Sequence, residues 1–75
     1  MIWTYAMTTL NECHVVVNIS DDNDDWLPIL WVGTNWSEAV ETAEEYGQYI
    51  TEIQTWIGPE RTHRYHNVQN QWVAI

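Results

Sequence analysis

Asn35-Trp36-Ser37-Glu38-Ala39-Val40-Glu41-Thr42-Ala43-Glu44-Glu45-Tyr46-Gly47 is the stretch that decides the fold, because it carries helical periodicity in a chain whose other segments alternate like strands. At about 100° per residue, Trp36, Ala39, Val40, Ala43 and Tyr46 fall on one stripe, and Glu38, Glu41, Glu44 and Glu45 fall on the opposite one. Asn35, with Glu38 three residues later, has the form of an N-cap with a capping-box partner. Gly47 supplies the residue that can take a positive φ after the last turn. The pattern predicts one amphipathic helix of roughly three turns.

Upstream, Ile2 to Thr9 places Trp3, Tyr5 and Met7 on one face at period two and reads as a strand. His14 to Ser20 follows as a second strand, with Val15, Val17 and Ile19 on one side and mainly polar groups on the other. Asp21-Asp22-Asn23-Asp24-Asp25 has the composition of a tight loop, and Trp26 to Val32 reads as a third strand that begins near Pro28 or presents it at an edge, since proline cannot donate to a ladder. Downstream of the helix, Tyr49 to Ile57 is too β-branched for a good helix interior and reads as a strand, with extension of the helix through it as the alternative, and Gly58-Pro59-Glu60 turns it back into Arg61 to His66. Asn67 to Gln71 is polar connection, and Trp72 to Ile75 forms a short apolar end. The expected fold is α+β, a small mostly antiparallel sheet in the order β-β-β-α-β-β, with the helix packed on one face and a possible short last strand.

Seventy-five residues allow one domain, residues 1–75. Eleven Asp and Glu oppose two Arg and no Lys, for a net charge of −9, while 45% hydrophobic content with six Trp and four Tyr is too much apolar surface for a disordered acidic tail. One helix covers one sheet face, so aromatic residues on the other face form a patch that self-association would bury; a homo-oligomer is expected. Cys13 alone cannot staple a domain of this size, which fits a reducing compartment. The longest apolar runs are four residues, and Met1-Ile2-Trp3 lacks the basic start of a secretion signal, so no membrane span and a cytoplasmic location are expected.

The candidate partner-binding residues are Asp21, Asp22, Asp24 and Asp25 in the loop, and Glu38, Glu41, Glu44 and Glu45 on the helix. If adjacent, these eight carboxylates approach the charge density of a nucleic-acid backbone, roughly one charge per 1.7 Å of duplex. Such a surface suits a basic groove on a nucleic-acid-binding protein and repels nucleic acid and anionic membranes directly. A second candidate site is the basic segment Arg61, His63, Arg64, Tyr65 and His66, which contains both arginines of the chain. On a regular strand Arg61, His63 and Tyr65 share one face, where they could hold a nucleotide-like anion, with Arg64 and His66 on the other.

No cofactor or metal site is expected. Asp21-x-Asn23-x-Asp25 opens like a calcium loop, but Trp26 stands where glycine makes the turn and Val32 where a bidentate glutamate is needed. His63 and His66, three apart on a strand, point to opposite faces, as do Cys13 and His14, which leaves the thiol without a positioned base. No catalytic residue is assigned. Asn18-Ile19-Ser20 and Asn35-Trp36-Ser37 match the glycosylation pattern. In size and charge, though in no specific motif, the chain resembles the small inhibitors that phages and plasmids encode against host nucleic-acid enzymes and defence systems, some of which mimic DNA. That resemblance implies a non-enzymatic, anti-defence protein working in the host cytoplasm.

Overall fold

A computed structural model describes residues 12–20 and 27–75. The proposed strand over residues 2–9 and the Asp21 to Asp25 loop lie outside the described residues. Within them the order is β1 (Glu12–Asn18), β2 (Ile29–Gly33), α1 (Trp36–Tyr46), β3 (Thr51–Ile57), β4 (Glu60–Val68) and β5 (Gln71–Ala74). The strands form one five-stranded sheet in the spatial order β2-β1-β3-β4-β5, with every neighbouring pair antiparallel. β2 and β3 both run against β1 and hence parallel to each other, and α1 is the crossover between them, packed on β1, β2 and β3. The α+β reading is therefore correct for the described chain.

Local chemistry explains each boundary. β2 starts just after Pro28 at one edge of the sheet, and the Pro28 carbonyl accepts from Asn18 N at 2.9 Å. Asn35 caps α1, its Oδ1 accepting from Glu38 N at 3.1 Å, and Gly47 closes it with φ 135° while its N–H donates to Ala43 O. The β3–β4 hairpin turns on Gly58, at φ 59°, followed by Pro59. This fits the primed turns that match the twist of paired strands. The polar connection expected over Asn67 to Gln71 is shorter than that: Asn67 and Val68 belong to β4, Gln71 belongs to β5, and only Gln69 and Asn70 turn, both at positive φ.

The core lies between α1 and the row Val16, Ile53 and Tyr65, which are in register across β1, β3 and β4. Val16, Ala39, Ala43 and Ile53 are fully buried, and Leu30, Trp31, Trp36, Val40 and Trp72 close around them. On β1 the helix covers the His14, Val16, Asn18 row, with Val16 facing its cross-strand partner Ile53. One expectation is corrected here. Tyr46 completes the stripe on paper but is 56% exposed, since it sits in the last residue before Gly47 turns the chain away.

Candidate functional site

The outer face of α1 keeps Glu38, Glu41, Glu44 and Glu45 exposed, while Ala39 and Ala43 sink into the core behind them. From Glu38 to Glu45 the helix rises about 10 Å, so four carboxylates fall within that length, a linear charge density comparable to that of one strand of duplex DNA. Among the described residues no ion pair involves them, and the last turn of the helix carries no basic residue. The aspartates of the loop, Asp21, Asp22, Asp24 and Asp25, lie outside the described residues.

The basic segment is divided by the sheet. Thr55 is in register with His63 and Trp56 with Arg61, so β4 carries one extra residue, a bulge at Thr62. The bulge moves Arg61 onto the row of Trp56, away from His63 and Tyr65, which corrects the expectation that these three share a face. His63 and Tyr65 do share the helix-covered face, with rings stacked at 5.8 Å and 19°. Arg64 and His66 stand on the opposite face, where both contact Glu52 Oε1 at 2.7 Å.

Glu52 is fully buried, which its position in a polar-looking sequence row does not suggest. Besides the Arg64 and His66 contacts, its Oε2 accepts from Gln54 Nε2 at 2.6 Å, and Gln54 Oε1 in turn accepts from Trp56 Nε1 at 2.9 Å. An ionised carboxylate only accepts, so His66 must donate through Nε2. Burial pushes the Glu52 carboxyl upward, but the hydrogen bonds from Arg64, Gln54 and His66, together with the Arg64 charge, outweigh it and hold the group at about 2. The same contact raises Arg64 above its ordinary value. Arg64 therefore balances a buried charge of the protein itself, with His66 and Gln54 also donating to it.

On the helix side, a pocket of about 260 Å³ opens between the start of α1 and the sheet, lined by Glu12, His14, Trp36, Thr55, His63 and Tyr65. His14 is buried, with Nδ1 3.0 Å from Thr55 Oγ1. Trp36 stands nearly perpendicular to His14 (5.2 Å, 74°) and to Tyr65 (4.8 Å, 65°). A second hollow of about 250 Å³ is lined by Arg61, Thr62, His63, Arg64 and Ile75. Sequence reading placed His63 and Tyr65 in a site but missed Glu12, His14, Trp36 and Thr55, because these meet only when β1, α1 and β3 pack.

The remaining motifs have local structural roles. Asn18 Oδ1 accepts from Ser20 N and Oγ, an Asx turn at the end of β1, and Asn35 is the helix cap. Cys13 is half-buried on β1 and His63 and His66 face opposite ways. No described helix is long and apolar enough to cross a membrane. No protein-family model, curated protein or solved structure matches this chain.

Proposed function

We propose that this is a non-enzymatic binding protein that presents the outer face of α1 to a basic, nucleic-acid-handling groove on a partner protein, as an inhibitor that imitates the nucleic acid. The observation that carries this reading is the row Glu38, Glu41, Glu44 and Glu45: four exposed carboxylates within about 10 Å of helix, without a cation to neutralise them among the described residues. Carboxylates with a structural purpose are held as Glu52 is held, by paired donors. Those on α1 are left to solvent, where they steer association from a distance. The Asp21 to Asp25 block extends the same charge in sequence. Self-association belongs to the proposal, since Ile29, Val32, Val68 and Ile75 are exposed apolar groups on a small sheet, and native mass spectrometry reads the subunit number. By the type it resembles, a phage-encoded protein acting in the host cytoplasm is the setting proposed.

The test replaces Glu38, Glu41, Glu44 and Glu45 together by Gln and compares both proteins for displacement of a labelled DNA duplex from a panel of purified DNA- and RNA-processing enzymes. Wild type should release the duplex from at least one member, with an effect that falls steeply as salt rises, and the variant should not. Equal displacement by the two proteins, or none by either across the panel, would sink the reading.

A second reading is favoured by the hollow beside Arg61: an oligomer that sequesters a nucleotide-like anion there. Replacing Arg61 alone by Gln, which leaves the Arg64–Glu52 pair intact, separates the two readings. Anion binding would be lost, whereas displacement of the duplex by the acidic face would be retained.

A further inference from the structure

We infer that the pocket at the start of α1 is a receptor for a guanidinium group, supplied by an arginine side chain of the basic partner. The source of the arginine rests on the function proposed above; its capture does not.

Three properties of the pocket select this guest. Its walls are aromatic: Trp36 meets His14 and Tyr65 edge to face, with ring centres 5.2 and 4.8 Å apart, and His63 stacks on Tyr65, so the lining is built of ring surfaces. A cation within about 6 Å of such ring centres is attracted by their negative faces, and a planar guanidinium also stacks on them. Among the described residues the lining carries one carboxylate, that of Glu12, exposed at the rim beside the imidazoles of His14 and His63, and neither arginine is part of it. A carboxylate beside aromatic walls complements the guanidinium fork and opposes a phosphate or carboxylate guest. The volume, about 260 Å³, falls below the roughly 300–1,000 Å³ of sites for drug-sized ligands and matches one long side chain entering from outside.

The walls of the pocket are held by the surrounding fold. His14 is locked in place by Thr55, and Trp36 is anchored against the core through the first turn of α1. Glu38 lies in that same turn, so an arginine inserted beside Trp36 would bring its own basic neighbours toward the acidic row. Charge on the helix would then direct the encounter, and the aromatic pocket would hold one residue of the partner as its anchor.

The experiment titrates the whole protein with N-acetylarginine amide and, separately, with N-acetylcitrulline amide, its neutral counterpart, while following the Trp36 indole N–H and the amides of His14, Thr55 and Tyr65 by heteronuclear NMR. The arginine compound should produce saturable shifts at these groups and the citrulline compound should not. Glu12→Gln should weaken the arginine response about threefold to fivefold, as expected for an exposed ion pair, and Trp36→Leu should weaken it about tenfold. If Trp36→Leu does not fold, the citrulline comparison and Glu12→Gln still decide. Equal shifts with both compounds, or a response indifferent to Glu12→Gln, would overturn the assignment. The two proposals fail separately: arginine capture without duplex displacement rejects the helix-face function and keeps the pocket, and displacement without an arginine response does the reverse.

Discussion

Glu52 shows how much one residue can hold in a chain this small. Its carboxyl is kept at about 2, against an ordinary 4.5, so folding favours the ionised form. That stabilisation is fully present above about pH 5 and is lost as the pH falls toward 2, amounting to about 3 kcal/mol. Urea unfolding of wild type should weaken over this range, and the difference from Glu52→Gln should shrink toward acid; a constant difference would contradict the account. Arg64→Leu leaves the buried carboxylate with only His66 and Gln54 as donors. Because Arg64 is half-exposed, it should cost less than a fully buried pair would, about 1–2 kcal/mol at pH 7, and less again at pH 3, where Glu52 can take up a proton.

At the scale of elements, stability rests on caps and turns whose residues can be exchanged one at a time. Asn35→Ala removes the side-chain acceptor for Glu38 N and should cost about 1 kcal/mol, read as a lower thermal midpoint. The β4–β5 turn needs a positive φ at both Gln69 and Asn70, a geometry that glutamine takes reluctantly. Gln69→Gly should therefore raise stability, by about 0.5 kcal/mol. The same change at Asn70 should gain less or lose, because Asn70 Oδ1 accepts from Gln48 Nε2 at 2.8 Å and Tyr49 Oη at 3.2 Å. Thermal melts of the two variants side by side check the order.

For the whole molecule, the acidic row is a cost that the fold carries. Glu38 with Glu41, Glu41 with Glu44, and Glu41 with Glu45 are like charges three or four apart on one helix, each repelling by about 0.2–0.5 kcal/mol. Glu44 and Glu45 also stand at the negative end of the helix dipole. Neutralising Glu41, Glu44 and Glu45 to Gln, which leaves Glu38 at the favourable N-terminal end, should therefore raise stability by about 1 kcal/mol and the melting midpoint by about 5 °C at low salt. Added salt should narrow the gap between variant and wild type by screening the repulsion. A variant that is more stable and yet loses its partner is the expected mark of a surface kept for binding.

The α1 stripe, its Asn35 cap, the Gly47 stop and the strand character of residues 51–57 were all legible in order of residues, because period, capping and turn chemistry act within a few positions of the chain. The exposure of Glu38, Glu41, Glu44 and Glu45 followed from the same periodicity. What alternation could not reveal is which row of β1 meets the helix, since both rows contain valine and the choice depends on pairing with Ile53 across the sheet. Nor could it show that Glu52 is buried beneath Arg64 and His66, or that a bulge at Thr62 carries Arg61 to the other face. Those outcomes, and the meeting of Glu12, His14, Trp36 and Tyr65 around one pocket, depend on contacts between residues as far as 53 positions apart, taking Glu12 and Tyr65 as the extremes. Strand registry and helix docking decide such contacts, through packing and hydrogen bonding that no local pattern encodes.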